Sequence, residues 1–387
     1  MTAIASAEST ALPTTDRRLL TGIFAALGIV MAVWGARMPA VQAAAHLTSG
    51  ELAVVLLGAA AGLVAGLQVA GRLAERHGPS RLLVSPMVLF GVALVVLGQC
   101  RTLPSLALGA AVMGVAHGLL DVGANTCAVH VERAYRRKIM QSLHAAYSVG
   151  ALCGAALAAT TTWMPYDVLF TAVGAVTVLG ALGAVPAVRA AQHLDDATGQ
   201  PSTEDEASPS SSRVTVWVLG ALAAGCLLGE GAAVDWSAVH LHSLHSSEAT
   251  AATAYALYSA AMATGRIFGD RLTTRFGAPA VVRTGAALAA AGLGAGLAVG
   301  TVPAALLGWT ALGLGLSTAV PSLISAAGRG GPRAVAAVAS TGYLGLLTGP
   351  AAIGALASLT SVPTALALPV LLAAAVALAA HRALETR

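Results

Sequence analysis

The chain has 387 residues, of which 57% are hydrophobic and only 10% charged, with a mean hydropathy of +0.78 and a formal net charge of +4. So little polar surface cannot coat a water-soluble globule of this size, and lipid is the expected solvent. The positive balance does not indicate nucleic acid, because the arginines come in short groups between apolar runs and form no basic face.

Residues 1–18 are polar and lack an apolar core after a basic start, so no cleaved leader is expected and the first span directs insertion. A span needs about 20 mostly apolar residues. Twelve segments qualify: 19–40, 51–71, 82–100, 104–127, 143–163, 167–188, 214–238, 250–268, 280–300, 303–327, 335–358 and 362–381. Between the sixth and seventh, HLDDATGQPSTEDEASPSSS is acidic, rich in serine and proline, and unable to form a core. The expected layout is a tail (1–18), a bundle (19–190), a linker (191–213), a second bundle (214–381) and a short tail (382–387).

The two bundles carry a repeat. Gly66, Arg72, Leu73, Arg76 and Gly78 recur 199 positions later as Gly265, Arg271, Leu272, Arg275 and Gly277. Duplication at half the chain length is the mark of transporters built from two similar halves, with a substrate site expected between them. The expected fold is therefore an all-α integral membrane protein of twelve transmembrane helices in two six-helix pseudo-symmetric bundles. If both termini are cytoplasmic, every arginine and lysine except Arg37 and Arg101 falls on the cytoplasmic side, as the positive-inside rule requires. Gly58, Gly62 and Gly66 line one face of segment two, while Gly150 and Gly154 in segment five have counterparts in Gly345 and Gly349. Small residues let helices approach closely in lipid, where apolar burial cannot drive association. The cysteines, Cys100, Cys127, Cys153 and Cys226, lie inside apolar segments without paired spacing and are read as buried thiols.

Acids inside spans carry more information, because an intramembrane carboxylate is costly unless protonated, paired or hydrated. Asp121 lies in segment four between His117 and Asn125 at spacings of four, a polar stripe down one helical face. Asp121 is the candidate proton-coupling carboxylate; a buried polar cluster that only stabilises packing is the rival reading. His144 and Tyr147, near the start of segment five, are candidates to line the same cavity. Segment seven adds Glu230, a second proton-coupling candidate, with Asp235 and Trp236 nearer the outer surface. Gly229 and Gly231 are expected to let that helix unwind around Glu230. Trp34 and Arg37 belong to the same outer level, and Arg37 either pairs with Glu230 or Asp235 or holds an anionic substrate group. His240, His242, His245 and Glu248 have usable metal spacing, but no second ligand cluster accompanies them. They are read as exposed loop histidines, with no metal expected.

Twelve spans, an acidic linker and the loop GRLAERHG resemble the major facilitator superfamily. Gly71, Leu73, Ala74, Arg76 and Gly78 match the superfamily's loop pattern, Glu75 stands for its aspartate, and Pro79 and Ser80 replace the basic pair that often follows. GRIFGDRLTTRFG, which contains Gly269 and Asp270, is a second form of the same element. A narrower resemblance, on LLDVGANTCAVHVERAYRRKIMQSLHAAYSVGALCGA and GEGAAVDWSAVHL, is to bacterial inner-membrane members distantly akin to fucose and proton symporters. It implies a multi-pass protein of the bacterial inner membrane.

The expected cytoplasmic gate comprises Gly71, Arg72, Glu75, Arg76 and Gly78, with Gly269, Asp270, Arg271, Arg275 and Gly277 in the second half. Its acids are expected to pair with helix ends or basic groups. No nucleophile elbow, phosphate-cradling loop or dinucleotide fingerprint is present, so neither an enzyme nor an ATP-driven pump is expected. What remains is a secondary transporter of a small organic molecule, powered by protons, without cofactor or nucleic acid, and monomeric in the bilayer. The element GLLTGPAAIG in segment eleven resembles one associated with antiporters and favours export. Proton-coupled import of a sugar-like or other small polar nutrient is the alternative, and a non-transporting membrane sensor is the rival from another class.

Overall fold

The computed structural model describes residues 12–191 and 213–385. The linker read at Gln192–Ser212, the first eleven residues and the last two lie outside the described residues.

The described chain is helical throughout: α1 (Leu12–Ala36), α2 (Met38–Ala44), α3 (Ser49–His77), α4 (Arg81–Gln99), α5 (Leu103–Tyr135), α6 (Met140–Thr160), α7 (Tyr166–Gly183), α8 (Val185–Ala191), α9 (Arg213–Ser243), α10 (Glu248–Phe276), α11 (Ala278–Val299), α12 (Val302–Leu316), α13 (Ala319–Ala327), α14 (Pro332–Leu359), α15 (Val362–Ala365) and α16 (Ala367–Leu384). Among the described residues, eleven spans are long and apolar enough to cross a membrane, α12 with α13 and α15 with α16 each counting as one. The expected eighth segment, 250–268, lies within α10, whose 29 residues suffice in length but carry Thr, Ser, Tyr and charged residues that lower its apolarity.

The repeat marks helix ends. At α3, Thr48 accepts the amide of Glu51 while the Glu51 carboxylate accepts the amide of Thr48 (2.8 Å); at α10, Ser247 accepts the amide of Thr250 (3.2 Å). Thirty positions on, Gly78 (φ 83°) and Gly277 (φ 81°) end the same helices in a backbone region that a β-carbon disfavours. Close approach is repeated too. Gly58, Gly62 and Gly66 of α3 lie against the carbonyls of Ala107, Ala111 and Val115 in α5, and Gly265 of α10 lies against Leu314 and Ser317 beside α12. Gly150 and Gly154 meet Ala25 and Ile29 of α1, as Gly345 and Gly349 meet Ala224 and Leu228 of α9.

The chain forms two compact units: the described parts of Met1–Ile139, Ala146–Ala207 and Gly331–Ala336, and those of Met140–Ala145, Ser208–Gly330 and Ala337–Arg387. The first turns of α6 and α14 are thus each assigned to the unit that does not hold the rest of their helix. All four cysteines are free thiols. Cys127 and Cys226 are buried as expected, whereas Cys100 is half-buried and Cys153 exposed.

Candidate transport site

In the first unit, α5 presents the expected stripe. Asn125 donates from Nδ2 to the backbone carbonyl of Asp121 (2.9 Å) and to its carboxylate oxygen Oδ1 (3.2 Å). His117 is buried with its ring 5.7 Å from that of Phe90, and Asn125 is buried as well, while Asp121 is partly open. No lysine or arginine among the described residues forms an ion pair with Asp121.

The second unit holds a charged pair. Arg266 of α10 donates from Nη2 to Glu230 Oε1 of α9 at 3.1 Å, and its Nε donates to the backbone carbonyl of Ser317 (3.4 Å). That carbonyl is available because segment ten is broken. Helix α12 stops at Leu316 and α13 starts at Ala319, so Ser317 and Thr318 form a turn between them that keeps right-handed helical dihedrals but interrupts the hydrogen-bond ladder. Pro321, four residues past Ser317, lacks the amide that would close the turn, and its ring crowds the carbonyl at that spacing. A backbone carbonyl left out of the helical ladder at membrane depth needs another partner, and Arg266 supplies one here. Tyr258, two turns before Arg266 on α10, is 4% exposed and lies within Coulombic range of both charges. Its hydroxyl has no hydrogen-bond partner among the described residues, and its ring stacks on Tyr255. His144, from the first turn of α6, is within Coulombic range of Arg266.

Asp270 and Glu75, the acids of the repeated loop, each have partners. Asp270 accepts the amides of Gln141 (3.0 Å, Oδ1) and Ser142 (3.1 Å, Oδ2), the second and third residues of α6. A carboxylate there satisfies two orphan donors and faces the positive end of the helix dipole. Gln141 also donates to the Thr318 carbonyl (3.1 Å) and to Ser322 (3.0 Å). Gly269 is the one residue that fits beside it, since a β-carbon there would lie 2.9 Å from the Gln141 side chain. Glu75 pairs with Arg333 Nε at 2.6 Å, and Gly71 packs on Arg333 and Ala336 at the start of α14. Arg72 is exposed, whereas Arg271, Arg275 and Arg76 are exposed about the helix ends, where snorkelling arginines belong.

Residues 19–239 match the family model of the Major Facilitator Superfamily. An uncharacterised transporter of Sinorhizobium fredii, y4wD, is 35% identical over 354 residues, covering 88% of this chain and 92% of that protein. The chain belongs to the Major Facilitator Superfamily. An uncharacterised MFS-type transporter of Yersinia pestis is 32% identical, covering 92% of both proteins. The fold matches that of the Escherichia coli fucose:proton symporter FucP, with a TM-score of 0.72 over 96% of this chain and 98% of that one, at 16% identity. This MFS chain is therefore a multi-pass membrane transporter by family and fold, and those point away from an enzyme.

Set in the MFS fold, several expectations need correcting. Arg37 does not supply Glu230's partner: its Nη2 donates to the carbonyl and hydroxyl of Thr161, and Arg266 takes the acid. Helix α9 runs unbroken from Arg213 to Ser243, so Gly229 and Gly231 do not unwind it. They give room to Leu316, and to Leu346 and Pro350, and the interruption of helical hydrogen bonding lies in segment ten instead. His240 is on that helix rather than in a loop, buried, with Nδ1 accepting Trp309 Nε1–H at 3.3 Å; His242 and His245 are exposed. Trp34 is buried with its ring 5.9 Å from Phe170, and Trp236 lies against Gly354, so both pack between helices. Asp235 is exposed, and Tyr147, in the first unit, has its backbone against Gly28. Arg266 is the residue that sequence reasoning missed as a site group. The positive-inside reading places it with the cytoplasmic arginines, although its position inside segment 250–268 is the available signal.

Proposed function

We propose that this chain is a proton-coupled secondary transporter that carries a small organic molecule across the bacterial inner membrane by alternating access, solute and proton moving together. The observation that carries the reading is the Glu230–Arg266 pair within the spans. A proton on Glu230 cancels its charge and leaves a positive group beside it, so protonation prepares a site for solute instead of filling it. Asp121, whose hydrogen-bond partner is the neutral Asn125, is a second place where a proton can board. Export in exchange for protons is the second reading, favoured by the glycine–proline element of α14. Gly345 and Gly349 of that element have a packing role against α9, which accounts for them without reference to direction.

The test is flux in proteoliposomes of defined orientation with a pH-sensitive dye inside. Co-transport acidifies the lumen as solute enters; exchange alkalinises it. Asp121→Asn is expected to abolish pH-driven uptake while leaving solute exchange measurable, and pH-driven uptake at the wild-type rate would remove Asp121 from the mechanism.

A further inference from the structure

Glu230, Tyr258 and Arg266 have no polar counterparts in the first half. At the offset of 199 positions they fall on Met31, Ala59 and Leu67. The offset is also spatial: Gly114 lies against the carbonyl of Ala59 and Gly313 against that of Tyr258, Gly66 against Val115 and Gly265 against Leu314, and Ala25 and Ala224 each receive a glycine of a neighbouring helix. One architecture, built twice, thus seats apolar side chains in one copy and an acid, a phenol and a guanidinium in the other. Packing of these helices does not need the charges, and buried ion pairs are readily replaced by apolar residues of similar volume when stability is all that matters. The backbone differs in the same place. Pro321 falls on Val122, and α5 runs unbroken where segment ten is interrupted.

We infer that Arg266 is the receptor for a carboxylate on the transported molecule, with the Tyr258 hydroxyl as a second donor, and that Glu230 holds this place while the solute is absent. The inference rests on the proton-coupled reading and names its substrate class. Glu230 shows that a carboxylate fits the guanidinium, and one fixed positive charge matches a single negative one. The buried, unpartnered Tyr258 hydroxyl lies close enough to feel both charges, and Tyr255, at 6.1 Å and 18° to it, extends a flat apolar wall. Titratable groups around the pair are Cys226 on α9, Tyr255 and Tyr258 on α10 and His144 on α6. Helices α12 and α13 contribute none, α14 carries Arg333 and Tyr343, and α16 carries His381 and Arg382 at its end. In the transfer the proton goes to a Glu230 carboxylate oxygen, the solute carboxylate takes over the ion pair, and the loaded site keeps the charge it had empty.

The experiment uses purified full-length protein and measures thermal stabilisation by lactate and benzoate, their neutral amides lactamide and benzamide, and inorganic phosphate. At least one carboxylate is expected to stabilise the wild type, its amide not. The double variant Glu230→Met with Arg266→Leu, which installs the first half's residues, is expected to remain folded yet bind that carboxylate about 10- to 150-fold more weakly. Glu230→Gln is expected to bind it with little dependence on pH, whereas the wild type binds better in acid. Equal stabilisation by amide and acid, undiminished binding to the double variant, stabilisation by phosphate alone, or no stabilisation by either carboxylate overturns the inference. Carboxylate binding at Arg266 without proton movement in the flux assay overturns the coupling reading instead and leaves the receptor standing.

Discussion

Asp270 holds the first turn of α6 by two hydrogen bonds at 3.0 and 3.1 Å to the amides of Gln141 and Ser142. In Asp270→Asn the side chain keeps one acceptor oxygen, so one amide loses its partner and the other bonds to a neutral group. Losing a charge-assisted bond removes about 1.5–3 kcal/mol, and the helix-dipole attraction lies within the same range. The opening equilibrium of that turn should then rise by about 10- to 150-fold. Hydrogen–deuterium exchange of a peptide spanning residues 138–145 reads this directly, because amide protection tracks local opening. Asp270→Asn should exchange faster in that peptide while peptides from α11 keep wild-type rates. Unchanged protection at Gln141 and Ser142 would refute the claim that this carboxylate anchors the helix start.

The other predictions concern neighbouring features. Glu75→Gln should lower the melting temperature only slightly, a loss under about 1 kcal/mol that vanishes in high salt, because the Glu75–Arg333 pair is 33% and 63% exposed at its two side chains. Gly62→Ala should destabilise by about 1–3 kcal/mol in detergent melts, since its β-carbon would collide with the Ala111 carbonyl. Gly180→Ala, with nothing within 4 Å of the new carbon, should be neutral or stabilising by up to about 1 kcal/mol, and equal effects from the two would undo the close-packing argument. Pro321→Ala should let the Ser317 carbonyl rejoin the helix, weakening carboxylate binding at Arg266 while leaving the melting temperature at or above wild type. Unaltered binding would show that the broken turn does not serve the arginine.

Local physics made much of this protein legible. Apolar length located the helices, and the 199-residue repeat picked out Gly66, Gly78, Gly265 and Gly277, which the structure uses for close approach and for helix ends. The Asp121–Asn125 contact followed from a spacing of four on one helix. Contacts between distant segments did not yield so easily. Asp270 meets amides 129 and 128 residues away, and its fit there depends on where the backbone turns. Arg266 was hidden by its company: with Asp270, Arg271 and Arg275 close behind, it reads as a surface anchor until α10 is seen to run through it. The glycines flanking Glu230 suggested a break in segment seven, but glycine in a membrane helix serves close approach as readily as bending. A single proline about five turns into an apolar run made the break instead.

That proline has a consequence for how the molecule can change over generations. The acceptor it releases belongs to the main chain, so no exchange at position 317 can delete it, even though the Ser317 side chain is itself buried against Gly265. Solute preference can then be retuned by altering what stands at 230, 258 or 266 while the notch in the backbone persists, a fixed socket that outlasts any one cargo.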